Sequence, residues 1–163
     1  YECVWPGRSP NFGASWIEGI NLKFSAAHNP ESIENDIGET SEVEVILLAM
    51  IEKKEIQESI KSLADAIKAK HTKPKLIFTE VKNGRKPSVR ANLLRDMVNS
   101  HYPDAISSKS IVDPYEAFLE GVTTARHGNG NLLVIGSIYL IGEIISEIIS
   151  SRGLDAIVTM TIH

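Results

Sequence analysis

Apolar residues recur along this chain in two rhythms. Some short stretches are apolar at nearly every position, and these predict buried strands at Val43 to Leu48, Lys75 to Thr79 and Leu132 to Ile135. Elsewhere apolar residues return every three or four positions. Ile56, Ile60, Leu63, Ala64 and Ile67 share one face of a predicted helix from Glu55 to Lys68. Ser88 is placed to cap a helix that turns Val89, Leu93, Leu94, Met97 and Val98 inward. Asp113 followed by Pro114 predicts another helix start, with Tyr115, Phe118, Leu119 and Val122 buried. Gly128 and Gly130 form the loop before the strand Leu132–Ile135, and Gly136–Ser137 turns that strand into the last long helix. Weaker signals predict a strand or strand pair over Trp16 to Phe24, broken near Gly19, and a short polar helix from Glu31 to Ile37, ended by Gly38. They also predict strands at Ala105 to Ser110 and Ala156 to Thr161.

Strand and helix alternate, which predicts an α/β fold: a Rossmann-like three-layer domain with a mostly parallel sheet and helices on both faces. Ligands of such folds sit beyond the carboxyl ends of the strands. No internal repeat, low-complexity segment or long linker interrupts the pattern, so residues 1–163 read as one domain.

Composition narrows the function. The net charge is −4, so no basic field favours nucleic acid as a partner. A single cysteine, Cys3, excludes an intrachain disulfide and points to a reducing, cytoplasmic setting. Tyr1 to Pro10 fits no targeting pattern, and the lack of an initiator methionine is expected of a fragment. The apolar stretch Leu132 to Ile149 has the length of a membrane span. Gly136, Ser137, Glu143 and Glu147 interrupt it, so it reads as a buried strand and a helix, with no membrane partner.

Two junctions carry candidate chemistry. Ser25–Ala26–Ala27–His28–Asn29–Pro30 links a predicted strand to a helix, and its small residues let backbone approach a ligand. His28 is either a polar contact there or a surface histidine on a plain turn. At Gly136–Ser137 the free N–H groups of a helix start and the Ser137 hydroxyl suit a carboxylate or phosphate, although an ordinary N-cap serine has the same sequence. The charge run Glu52–Lys53–Lys54–Glu55 lies just after a strand end, where it either touches a nucleotide or, more commonly, is a solvated helix start; Arg85 and Lys86 are either an anion contact or, more commonly, an exposed loop, and Arg126 and His127 read as surface residues. No phosphate loop of the G-x-x-x-x-G-K-[ST] type, no C-x-x-C or H-E-x-x-H metal spacing and no G-x-S-x-G nucleophile turn occurs. The chain has no visible engine for phosphoryl transfer or covalent catalysis.

Three segments in order, Trp5–Pro6–Gly7–Arg8, Ala27–His28–Asn29–Pro30 and Gly136–Ser137–Ile138–Tyr139–Leu140–Ile141–Gly142–Glu143, resemble the C-terminal domain of folylpolyglutamate synthase and dihydrofolate synthase, within the Mur ligase superfamily. That family reads W-P-G-R, then D-G-A-H-N-P, and near its end G-S-L-Y-L-V-G-E. The resemblance runs from Trp5 to about Arg152. It implies an ATP-dependent amide ligase of folate biosynthesis. ATP phosphorylates a folate carboxylate, and the amine of L-glutamate attacks the acyl phosphate. A central ATPase domain, absent from this chain, would carry the phosphate loop and Mg2+. The present domain would close over it, bind no cofactor tightly by itself and be inactive alone.

The resemblance also implies site residues. His28 and Ser137 would lie near the incoming glutamate, and Arg8, Ser25 and Asn29 near the nucleotide. None would be catalytic, and no metal ligand is implied. The family's aspartate is Ser25 here and its glycine Ala26, and its D-K-D stretch falls on Glu52–Lys53–Lys54. Two alternatives stay open: another Mur-type ligase acting on peptidoglycan precursors, and a degenerate, non-catalytic binding module.

Overall fold

A strand with apolar residues on both faces is stable only between two helical layers. The computed structural model places three such strands side by side. It describes residues 2–4, 20–26, 29–39, 42–70, 73–102, 108–153 and 161–162. In chain order the elements are β1 (Glu2–Val4), β2 (Asn21–Ser25), α1 (Pro30–Glu39), β3 (Val45–Ala49), α2 (Ile56–Lys68), β4 (Lys75–Phe78), α3 (Ala91–His101), β5 (Ser108–Ser110), α4 (Pro114–Arg126), β6 (Asn131–Gly136), α5 (Ile138–Arg152) and β7 (Thr161–Ile162). The strands form one sheet in the order β5-β4-β3-β6-β2-β1-β7. β5, β4, β3, β6 and β2 run parallel, while β1 pairs antiparallel with both β2 and β7.

The two-residue period of each strand divides the core. Val45 and Leu47 of β3 and Leu132 and Val134 of β6 pack with Phe118 and Val122 of α4 and with Leu140, Ile141 and Ile144 of α5. Ile46 and Leu48 of β3 and Leu133 and Ile135 of β6 face the other way. They pack against Ile33 and Ile37 of α1, Ile60, Leu63 and Ile67 of α2, and Leu94 and Val98 of α3. Each face therefore carries its own helical layer, as the alternation of elements predicts.

Several boundaries and roles differ from the sequence reading. Ser88 does not cap α3. Its backbone bridges to Ile51, and its hydroxyl accepts from the Val81 N–H at 2.9 Å. The helix begins three residues later, where the Glu80 carboxylate accepts from the Ala91 N–H at 3.0 Å. Leu93, expected inside, is exposed, because the buried stripe of α3 runs through Ala91, Leu94 and Val98. Tyr115 and Leu119 are only partly buried at the margin of the core. The short, partly polar β1 escaped the sequence reading altogether. Residues 16–19, 105–107 and 156–160, which contain parts of three predicted strands, lie outside the described residues.

The apolar stretch of 132–149 divides into β6 and α5, as expected. Among the described residues no helix is long and apolar enough to cross a membrane.

Candidate functional site

The connections place one sheet position apart from the rest. From β2 the chain passes through α1 to β3, leaving a gap that β6 later fills. From β3 it moves outward through β4 to β5, and then returns through α4 to β6. The carboxyl ends of β2, β6 and β3 thus meet where the winding reverses, the usual ligand position in open α/β sheets. A cavity of about 170 Å³ lies at this position, lined by Ala26 after β2, Met50, Ile51 and Lys53 after β3, and Ser137, Ile138 and Tyr139 after β6.

Gly136 immediately precedes the cavity-lining Ser137 and fixes its approach to β3. It ends β6 opposite Ala49 with φ of +128°, a conformation that L side chains rarely adopt. A Cβ there would lie 2.1 Å from the Ala49 carbonyl oxygen. The same oxygen accepts the Ser137 N–H at 3.2 Å. Glycine therefore lets β6 come close enough to β3 for that bond to form. Ser137 then caps α5, its Oγ accepting from the Tyr139 N–H at 3.1 Å. The Ser137 hydroxyl hydrogen is left to donate, at the positive end of a fifteen-residue helix.

Five residues were singled out from the sequence. Ser137 lines the cavity. Ser25, buried at the end of β2, makes a hydroxyl–carboxylate hydrogen bond with Asp36 of α1. Asn29 is exposed and caps α1, its Oδ1 accepting from the Ser32 N–H at 2.9 Å, with Pro30 as the first helical residue. The described geometry gives Ser25 and Asn29 internal partners, while Ser137 faces a cavity. Arg8 and His28 lie outside the described residues, as does the Trp5–Arg8 segment.

Lys53 is the residue that the structure separates from the charge run at the end of β3. It was grouped with Glu52, Lys54 and Glu55, and those three are indeed exposed. Lys53 is instead partly buried and lines the cavity, and its Nζ is shielded from solvent with no hydrogen-bond partner. Burial holds its amine below the ordinary lysine range, a shift that nearby Glu55 only partly offsets. The sequence signal is positional and covers the whole run: Lys53 follows β3 by four residues, and strand carboxyl ends are where ligand groups gather.

The rim beyond the cavity is braced by charge. The Glu143 carboxylate on α5 accepts from the backbone N–H groups of Lys82 and Asn83 at 2.8 and 3.1 Å, which fixes the loop after β4. Lys82 also pairs with Asp113, the residue that caps α4 by accepting the Glu116 N–H at 2.9 Å. The Lys82 ammonium and then the Glu116 N–H hold the Asp113 carboxyl below the usual carboxylate range. Arg85, Lys86, Arg126 and His127 are exposed, as expected. Among the described residues no three His, Cys, Asp or Glu side chains converge as metal ligands.

No protein-family model matches this sequence, and no curated relative matches it. Solved structures do match its fold. "E.coli FolC in complex with DHPP and ADP" superimposes with a TM-score of 0.62 at 16% identity, over 81% of this chain and 29% of that one. The bifunctional folylpolyglutamate synthase/dihydrofolate synthase of Yersinia pestis gives 0.58 at 16% identity, over 80% of this chain and 29% of its own. The Mycobacterium tuberculosis folylpolyglutamate synthase complexed with ADP and AMPPCP gives 0.57 at 14% identity, over 78% and 29%. The chain thus shares its fold with the C-terminal domain of these enzymes and spans less than a third of their length.

Proposed function

We propose that this chain is the closing domain of an ATP-dependent amide ligase that adds L-glutamate to a folate. The observation that carries the reading is the cavity at the ends of β2, β3 and β6, with Ser137 at the head of α5 on its wall. Its volume is below the roughly 300–1,000 Å³ of pockets for drug-sized ligands, so it suits an amino acid better than a nucleotide. In this reading Ser137 donates to a carboxylate of the incoming glutamate, and His28, two positions after Ala26 in sequence, reaches the same substrate. Both residues orient the amine for attack on an acyl phosphate and form no covalent intermediate. ATP and Mg2+ would be held mainly by a central domain, with Arg8, Ser25 and Asn29 on the nucleotide side. The ADP named with the E. coli and M. tuberculosis structures supports a nucleotide in the whole enzyme.

The test uses the whole protein that carries this chain. Folate- and ATP-dependent incorporation of labelled L-glutamate is expected, with KM for glutamate raised about tenfold in Ser137→Ala, the equivalent of one charge-assisted hydrogen bond. The isolated chain should release no ADP. Folate-dependent ADP release by the isolated chain, or the absence of glutamate incorporation by the whole protein, would overturn the reading.

One observation favours a second reading, a non-catalytic binding module. The position at which the resembling family has an aspartate is Ser25, and its hydroxyl is engaged by Asp36. Full ligase activity of the whole protein with Ser25 in place would eliminate this alternative.

A further inference from the structure

Loop N–H groups have no ladder to join, so a side chain that accepts from them decides where the loop lies. In the loop after β4 one carboxylate takes that part twice. Glu143 accepts from the Lys82 N–H at 2.8 Å and from the Asn83 N–H at 3.1 Å, and the Asn83 side-chain amide donates to it at 3.3 Å. Glu143 stands on α5, six positions after Ser137, which caps that helix and lines the cavity.

The loop held in this way leads back to the opposite side of the cavity. The Val81 N–H donates to the Ser88 hydroxyl at 2.9 Å, and Ser88 bridges to Ile51. On either side of that bridge the Glu52 N–H donates to the Pro87 carbonyl at 2.9 Å, and the Val89 N–H donates to the Met50 carbonyl at 2.8 Å. Packing gives the same link independently, since a Cβ on Gly84 would lie 3.4 Å from Ile51 Cγ2. Met50 and Ile51 are cavity wall. The contacts close a circuit: along α5 from Ser137 to Glu143, across to 82–83, through Ser88 to 50–52, and back over the cavity. The bond from the Ser137 N–H to Ala49 pins one edge of this circuit, where β3 and β6 meet.

We propose that Glu143 is a positioning residue: it clasps the loops after β3 and β4 to α5 and so sets how far the cavity opens from its pinned edge. Reach, rather than charge, is the property required. Aspartate keeps the charge but withdraws the carboxylate by about 1.5 Å, which takes bonds of 2.8 and 3.1 Å out of range. Glutamine keeps the reach and one acceptor oxygen. Charge alone would give the opposite order, because Lys82, beside Asp113 and Glu147, would feel only the loss of a negative neighbour. The inference rests on the cavity of the proposed function and deepens it by naming a residue that shapes the cavity without lining it.

The experiment compares amide hydrogen exchange in the 15N-labelled native chain and in Glu143→Asp, Glu143→Gln, Glu143→Ala and Glu147→Ala. In the aspartate and alanine variants the Lys82 and Asn83 amides should exchange about tenfold faster, and those of Glu52 and Val89, which Glu143 does not touch, at least about threefold faster. Glu143→Gln should lie between native and Glu143→Asp. Glu147→Ala removes a charge beside Lys82 without taking an acceptor from the loop, and should leave all four amides unchanged. Leu47, in the middle of the sheet, should be unchanged throughout, which separates an opened clasp from a loosened fold. In the whole protein that carries this chain, Glu143→Asp should raise KM for L-glutamate about threefold or more, with kcat within about twofold and KM for ATP unchanged. Faster exchange confined to Lys82 and Asn83 would overturn the proposal. So would a larger effect of glutamine than of aspartate, or an unchanged KM for glutamate in a whole protein that incorporates it. A native whole protein that incorporates no glutamate would remove the folate-ligase reading, and the exchange pattern would still decide the clasp.

Discussion

Replacing Gly136 with alanine tests the close approach of β6 to β3 and the site beside it. Two costs combine. The residue sits at φ of +128°, and holding an L side chain in a sparsely populated region costs roughly 1–3 kcal/mol. The new Cβ would also lie 2.1 Å from the Ala49 carbonyl oxygen, whereas ordinary contact begins near 3.4 Å. The strands must therefore separate by more than an ångström, and the relevant atom is backbone in the middle of a sheet rather than the end of a flexible side chain. Forced shifts of this kind cost a further 1–3 kcal/mol or so. The sum, roughly 2–6 kcal/mol, is a large share of the 5–15 kcal/mol typical of a domain. Urea unfolding followed by far-ultraviolet circular dichroism should show the midpoint falling by roughly 1–3 M at an unchanged slope. The bond from the Ser137 N–H to Ala49 must also break, so any ligand that uses Ser137 should bind more weakly in the surviving folded protein. A midpoint within about 0.3 M of the native value would refute the claim that β6 requires glycine here.

Asp113→Ala removes an N-cap and the Lys82 pair, at a cost of about 1 kcal/mol near neutral pH. Because the folded carboxyl titrates below its ordinary value of 3.8, its contribution is complete above that pH and is lost as pH falls through the lower folded value. Urea midpoints of the native and Asp113→Ala chains should therefore converge in acid, and a constant gap down to pH 2 or so would count against the linkage. Ser25→Asp should place a second carboxylate beside Asp36 at a buried position, destabilising the chain by roughly 1–3 kcal/mol at neutral pH. Stability should return on mild acidification, when the two groups share a proton, and a pH-independent effect would mean that the carboxylates do not meet.

The sequence was most informative where burial alone decides structure. Val45–Ala49 and Leu132–Ile135 lie in the middle of the sheet with helices on both faces, so their unbroken apolar character identifies them without help from neighbours. Asp113–Pro114 and Gly136–Ser137 were readable for a different reason: a cap acts within one turn, and the residues that make it are adjacent in sequence. The start of α3 failed that condition. Its first N–H is met by Glu80, eleven residues upstream and beyond an intervening bridge, so a nearby serine was the wrong local guess. β1 was hidden because three residues at the antiparallel side of a sheet need no strong pattern.

The site divides along the same line. Ser137 could be read because it is a cap as well as a candidate ligand. Lys53 could not, because nothing in Glu52–Lys53–Lys54–Glu55 separates one cation from its neighbours. The distinction arises when β3 and β6 are brought together and Ile51, Ile138 and Tyr139 close around one amine of the run. A charge that is ordinary in sequence becomes chemically distinct through desolvation, and part of that desolvation comes from Ile138 and Tyr139, more than eighty positions away. The parallel sheet order therefore does more than hold the core together. By inserting β6 between β2 and β3 it gathers the ends of three strands that are distant in the chain, and that gathering takes the Lys53 amine out of water.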